Sequence, residues 1–110
     1  MIAKQVKEDL QNIRYYYMHK ASFDQAENTG FKSKVVQKAE QYGRLVSGAP
    51  PRLYIVYNLL YVEGKTQYAA AIEQNVTDGY IRNLAVKLQQ YLLNEINRKE
   101  EKVNEDREDA

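Results

Sequence analysis

The 110-residue chain contains no cysteine, no tryptophan and only one histidine, His19. Without cysteine, the chain can form neither a disulfide framework nor a thiolate metal site. The nearest downstream carboxylate, Asp24, lies five residues beyond His19, a spacing that does not bring two ligands together on a helix. We therefore expect no metal and no other cofactor, and we expect His19 to be exposed or partly packed.

The sequence also lacks the motifs of a catalytic site and of a membrane span. None of its scattered serines lies in a motif that would make it a nucleophile, and no glycine-rich nucleotide loop is present. The longest apolar run, residues 53–62, is interrupted by Asn58 and is shorter than the roughly 20 residues that a bilayer requires. The N-terminus carries charges where a signal peptide has an apolar stretch. These absences predict a cytoplasmic protein that is neither an enzyme nor membrane-bound.

The small net charge of +1 hides an uneven distribution. Residues 98–110 carry four basic and six acidic side chains, which leaves twelve basic and nine acidic ones, a net +3, in residues 1–97. A mildly basic body is compatible with phosphate binding, although many soluble domains carry a similar charge.

Apolar residues recur at helical spacing through most of the chain, and no strand pattern is visible. We predict one helix over 2–26, whose polar face includes Arg14, a second over 34–47 capped by Ser33, and a third over 51–63 that is apolar on nearly every side. A fourth helix over 67–74 is capped by Thr66, and Thr77 caps a long fifth helix that begins at residue 78. Its buried stripe is predicted to contain Ile81, Leu84, Ala85, Leu88, Tyr91, Leu92 and Ile96.

This pattern predicts an all-α fold of about five helices in one compact domain. An N-terminal helical pair, residues 1–48, is expected to pack on a three-helix unit over residues 49–97. The charged segment 98–110 is expected to extend the last helix for a few turns and then to fray into a flexible tail.

The three-helix unit has the layout of a helix-turn-helix, in which the last helix reads the major groove of DNA. The motif requires a small residue where its two helices cross, and we assign this position to Ala69, with Ile72 pointing to the same core. Val76 and Thr77 then form the turn and the helix cap, and Ile81 supplies the apolar residue one turn into the reading helix.

The free face of that last helix supplies the candidate contacts with DNA. Arginine pairs with guanine and asparagine with adenine in the major groove, so the predicted base contacts are Arg82 and Asn83, flanked by Gly79 and Val86. Backbone phosphates are expected to contact Lys65, Gln67, Thr77, Tyr80 and Lys87. The alternative interpretation is a plain helical hairpin with a polar outer face, because such residues are common on exposed helices.

The stretch from Ala49 to Gln67, Ala-Pro-Pro-Arg-Leu-Tyr-Ile-Val-Tyr-Asn-Leu-Leu-Tyr-Val-Glu-Gly-Lys-Thr-Gln, followed by residues 68–93, resembles the C-terminal DNA-binding region of sigma factors. Together with the run Ile13-Arg-Tyr-Tyr-Tyr-Met-His-Lys20, it resembles more closely the small phage and prophage transcription regulators of the ArpU and RinA type. The chain departs from the sigma pattern at the turn, which lacks the usual glycine and is about two residues longer at Gln74-Asn75.

The resemblance implies a sequence-specific regulator of phage late genes that binds double-stranded DNA and has no catalytic activity. Sigma-like domains also contact RNA polymerase, and the tyrosine-rich first helix is a candidate surface for that contact. The long amphipathic first helix favours a homodimer. Two other functions remain open: a small terminase-like packaging subunit that forms a ring, and a helical protein-binding module with no nucleic-acid role.

Overall fold

The computed structural model describes the backbone of residues 1–28 and 33–108 and the side chains of residues 1–25 and 33–101. Within these ranges the chain is all-helical, which confirms the predicted fold class. The helices are α1 (Ala3–Met18), α2 (Lys20–Asn28), α3 (Lys34–Ser47), α4 (Pro51–Tyr57), α5 (Gln67–Gln74) and α6 (Asp78–Glu108). A π-helical segment, Asn58–Val62, directly continues α4. None of the described helices combines the length and the apolarity that crossing a bilayer would require.

Three predicted N-caps are present and fix where their helices begin. At the start of α3, the Ser33 hydroxyl accepts a hydrogen bond from the Val36 amide at 3.2 Å. The Thr66 hydroxyl accepts a hydrogen bond from the Ala69 amide at 3.0 Å at the start of α5. The Thr77 hydroxyl accepts one from the Tyr80 amide at 3.1 Å at the start of α6. Each hydrogen bond satisfies a backbone donor that has no partner within its helix. The three capping residues therefore predict correctly where these helices begin.

The predicted single helix over 2–26 is wrong, because the helix breaks at His19. The backbone of His19 leaves the helical region, and its amide is shared between the carbonyls of Tyr15 and Tyr16, each at 3.1 Å. The His19 ring is exposed, as expected, and stacks on Tyr15 with ring centroids 4.2 Å apart. The aromatic ring of Phe23 in α2 then packs against Tyr16. This local packing of aromatic rings is a reason for the helix break, and hydrophobic periodicity carries no information about it.

The prediction for the third helix is only partly right. The chain is helical from Pro51 to Val62, but its last turn widens to π geometry, in which the Glu63 amide bonds the Asn58 carbonyl at 2.8 Å. The helix is also not covered on every side, because Tyr54 and Ile55 remain 46% and 41% exposed. An outer apolar face therefore stays open to solvent beside the N-terminus of α6.

The long helix α6 organises the core, since it contacts α1, α3, α4 and α5. Its buried stripe matches the predicted one, except that Tyr91 is half-buried and donates its hydroxyl hydrogen bond to the Leu45 carbonyl at 3.3 Å. The largest fully buried side chains come from both halves of the chain: Tyr42, Leu10, Ile13, Ile81, Leu88, Leu92, Val6, Val46 and Val56. One continuous core thus holds α6 in place.

Polar contacts also join α1 to the rest of the molecule. Arg14, which we placed on the polar outer face, is instead half-buried and donates from Nη2 to the Gly64 carbonyl at 2.8 Å. The buried Tyr42 of α3 donates to the Asp9 carboxylate at 2.7 Å, and Lys38 approaches the same carboxylate at 3.7 Å. The contacts to Asp9 tie α3 to α1, and the bond from Arg14 ties α1 to the segment that links the π-helical turn to α5.

The predicted helical extension of the charged segment is present, because α6 continues to Glu108. Arg98 pairs with Glu95 at 2.7 Å, and the N-terminal ammonium of Met1 lies 3.4 Å from Glu100. Residues 109 and 110 lie outside the described range, and the flexibility of the tail stays a prediction.

Candidate nucleic-acid interface

The connection between α5 and α6 consists of three residues, Asn75 to Thr77, a length typical of the helix-turn-helix. Asn75 adopts the left-handed conformation, with φ 57° and ψ 46°. The Val76 amide donates a hydrogen bond to the Ala71 carbonyl at 3.0 Å, and the Asn75 amide donates one to the Ile72 carbonyl at 3.2 Å. Together these two hydrogen bonds form a Schellman motif.

This geometry explains why the turn needs no glycine. Asparagine tolerates the left-handed region better than other residues with a β-carbon, so Asn75 can replace the expected glycine. Gln74, which we included in a lengthened turn, is the last residue of α5.

The packing register of α5 differs from the prediction by one residue. Ala70 and Ala71 are 0% and 3% exposed, whereas Ala69 is exposed and Ile72 is 62% exposed. The assignment of Ala69 and Ile72 to the core is therefore wrong. Three consecutive alanines give no periodic signal, so the register is decided by packing of α5 against α6 and the π-helical segment.

The predicted base-contacting residues lie together on the outer face of α6. Arg82, Asn83 and Val86 are exposed, and Gly79 is half-buried. Their spacing of three, four and seven residues places them on one stripe, while the inward face holds Ile81, Leu84, Ala85 and Leu88. A β-carbon at Gly79 would meet only the Thr77 hydroxyl, at 4.0 Å, so this end of the stripe is open to a close partner.

The predicted phosphate contacts fall into two groups, one along α6 and one at the start of α5. Thr77, Tyr80 and Lys87 lie along α6 or at its start, and Lys87 is exposed. The Thr77 oxygen already accepts the helix-capping bond, so its hydroxyl proton is what remains for a phosphate. Gln67 is exposed as the first residue of α5.

Lys65 differs from the other predicted cations because two carboxylates surround it. Its ammonium lies 3.6 Å from Glu63 and forms a closer hydrogen-bonded ion pair with Glu73. The bond to Glu73 raises the pKa of Lys65 and keeps its charge paired. A phosphate at Lys65 would have to compete with both carboxylates, and this makes Lys65 the weakest of the predicted contacts.

The charges of residues 49–97 are balanced in number but differ in how they are paired. This segment contains four basic residues, Arg52, Lys65, Arg82 and Lys87, and four acidic ones, Glu63, Glu73, Asp78 and Glu95. Three of the acids pair with lysine or arginine, at Lys65 or Arg98. Within the described residues, Arg52, Arg82 and Lys87 have no carboxylate partner. The cations without an ion pair are therefore Arg52, Arg82 and Lys87, and the fourth acid, Asp78, lies in the first turn of α6.

Arg52 is a residue that the sequence reasoning missed. It is exposed, and its Nη1 donates to the Tyr80 hydroxyl at 3.0 Å, although 28 residues separate the two. Beside this bond runs an apolar groove of about 290 Å³, lined by Ile55, Val56, Val76, Tyr80, Ile81 and Leu84 together with Arg52 and Gln74. Only the fold brings α4 and the start of α6 together, so no local sequence signal marks Arg52.

The described side chains contain no cluster with the makeup of a metal site. Among them, no group of three or more histidine, aspartate or glutamate residues converges closely enough to hold a metal ion. Searches of protein-family models, curated proteins and solved structures found nothing that matches this chain.

Proposed function

We propose that this protein is a sequence-specific DNA-binding transcription regulator that inserts the first half of α6 into the major groove. The observation that carries this proposal is the α5–turn–α6 unit, in which a three-residue Schellman turn precedes a helix with a free polar face. Arg82 and Asn83 are the side chains that read base edges, and Gly79 and Val86 lie against the bases on the same stripe.

The electrostatics support modest affinity rather than tight non-specific binding. Each phosphate that a protein neutralises contributes about −0.9 to the slope of log K against log salt. With Lys87 on a phosphate, we expect a slope of roughly −1 for one copy of the chain. A homodimer doubles the number of contacts and places two reading helices about 34 Å apart on neighbouring half-sites.

The biological setting follows from the resemblance to phage and prophage regulators. A protein of this type acts in the cytoplasm on phage late genes. The exposed Tyr15 and Met18 of α1, 56% and 62% accessible, form the surface that we assign to RNA polymerase.

The proposal is tested by fluorescence anisotropy of labelled duplexes, selected from a random pool by the wild-type protein. Arg82→Ala should weaken binding to the selected duplex by about 5- to 150-fold, equivalent to roughly 1–3 kcal/mol, and should relax base preference at one position. The matched control is Arg98→Ala, an exposed arginine about 24 Å further along the same helix. Equal losses in both variants would contradict the assignment of the reading helix.

Mass measured in solution separates this function from packaging. A dimer, or a monomer that dimerises on DNA, agrees with regulation. A stable ring of many copies would instead indicate a terminase-like subunit.

A further inference from the structure

We propose that Arg52 and Tyr80 together form a phosphate site that holds the DNA backbone beside the start of α6. The inference rests on the proposed function and adds to it a docking contact that is independent of base sequence. The ligand is a backbone phosphodiester, and the site joins residues from two helices that only the tertiary fold brings together.

The hydrogen bond between the two side chains leaves each of them with further donors. Arg52 donates one N–H from Nη1 to the Tyr80 oxygen at 3.0 Å. A guanidinium has five N–H donors, so four remain, and a phenol that accepts a bond through its oxygen still has its own proton to donate. Both donor groups are at the surface, where one phosphate can accept from the guanidinium and the phenol at once.

The charge of Arg52 is also free to act on an anion. Within the described residues, no carboxylate pairs with it, in contrast to Lys65, whose ammonium is held by two. A cation without a partner gains more from a phosphate than one that must first give up an existing ion pair.

Packing holds the phenol in position before any ligand arrives. The ring of Tyr80 is half-buried and packs against the core, and it lines the same apolar groove as Ile55 and Val76. Because the ring is already ordered, forming the contact costs less side-chain entropy than ordering a free surface side chain.

The site lies on the correct flank of the reading face. Tyr80 and Lys87 are seven residues apart, so they lie within about 20° of each other around the axis of α6 and about 10.5 Å apart along it. Asn83 lies between them on the adjoining face. Arg52–Tyr80 and Lys87 therefore form two backbone contacts on one side of the base-reading residues, which fixes both the depth and the register of α6 in the groove.

The test uses the full chain and two labelled duplexes, one selected by the wild-type protein and one of scrambled sequence. Arg52→Gln should weaken binding to both duplexes by about tenfold and should make the salt slope shallower by about 0.9. Tyr80→Phe keeps the ring and removes only the hydroxyl, so it should cause a smaller loss on both duplexes. In the double variant, the combined loss should be smaller than the product of the single losses, because the two groups hold one phosphate.

The matched control is Arg44→Gln, which removes the same charge from an exposed position on α3. Thermal melting by circular dichroism confirms that each variant is folded. If Arg52→Gln weakens binding no more than Arg44→Gln does, or leaves the salt slope unchanged, the phosphate site is refuted. If that result occurs while Arg82→Ala still relaxes base preference, the proposed function stands and only this inference fails. If the wild-type protein binds neither duplex at low salt, both fail.

Discussion

Substitution of Gly79 by alanine should separate the stability of α6 from its binding to DNA. Gly79 is the second residue of α6, where a new β-carbon would meet nothing closer than the Thr77 hydroxyl at 4.0 Å. The hydrogen bond that the Gly79 amide donates to the Asp78 carboxylate, at 3.1 Å, can also form when residue 79 is alanine. Alanine is favoured over glycine by up to about 1 kcal/mol in a helix, so the variant should be as stable as the wild type or slightly more stable.

The same methyl group should weaken DNA binding, because it points into the stripe that we assign to base contacts. Adding a methyl group to a closely packed contact costs roughly 1–3 kcal/mol, and about tenfold weaker binding is a reasonable expectation. The measurements are thermal melting by circular dichroism and anisotropy titration of the selected duplex. A variant that is more stable and binds less tightly would show that the glycine serves the interface.

The matched control is Gly43→Ala in the interior of α3. Its β-carbon would meet nothing within 4 Å, so glycine is not required there by packing. We expect a gain of about 1 kcal/mol, which corresponds to a rise of roughly 4–8 °C in Tm for a domain of this size, and no change in DNA binding. Gly79 does not serve the interface if Gly79→Ala binds the selected duplex as tightly as Gly43→Ala does, or if Gly79→Ala clearly destabilises the fold.

Further predictions concern buried tyrosines and the turn. Tyr57→Phe should raise the free energy of unfolding at neutral pH by about 1 kcal/mol, because the Tyr57 hydroxyl is buried with no hydrogen-bond partner. Tyr42→Phe should lower the same free energy by roughly 1.5–3 kcal/mol, because it removes the hydrogen bond to Asp9. Urea denaturation measures both changes, and equal effects of the two substitutions would contradict these predictions. Burial raises the pKa of both tyrosines above the ordinary 10.0, so they stay protonated where the unfolded chain ionises. Stability should therefore fall as the pH rises above about 10, and Tyr57→Phe should make that fall shallower by up to about 1.4 kcal/mol per pH unit, as denaturation at a series of pH values would reveal. At the left-handed Asn75, glycine should be neutral or stabilising and valine should cost about 1–2 kcal/mol in thermal melting; a harmless valine would exclude the described turn.

Short-range chemistry explains which parts of the fold the sequence could predict. The caps at Ser33, Thr66 and Thr77 involve residues only three positions apart, so the starts of α3, α5 and α6 were readable from the chain. The buried stripe of α6 was readable for the same reason, because a long helix repeats its periodic signal several times.

The features that sequence reasoning missed depend on contacts between distant residues or on weak local preferences. The three alanines of α5 look alike in sequence, and only packing against α6 and the π-helical segment distinguishes Ala69 from the two that are buried. The break at His19 depends on the arrangement of neighbouring rings. Arg52 belongs to the candidate site only because α4 meets the start of α6, and the 28 residues between Arg52 and Tyr80 carry no sign of that contact.

DNA reading by α6 is tested most directly by selecting, from one random pool of duplexes, those that bind the purified wild-type chain and those that bind Arg82→Ala. If α6 reads DNA, the wild type should enrich one short motif, repeated at half-sites one helical turn apart if the chain is a dimer. Arg82→Ala should enrich the same motif with preference lost at one position. Absence of any enriched motif at low salt, or an identical motif in both proteins, would contradict the assignment of α6 as a DNA-reading helix.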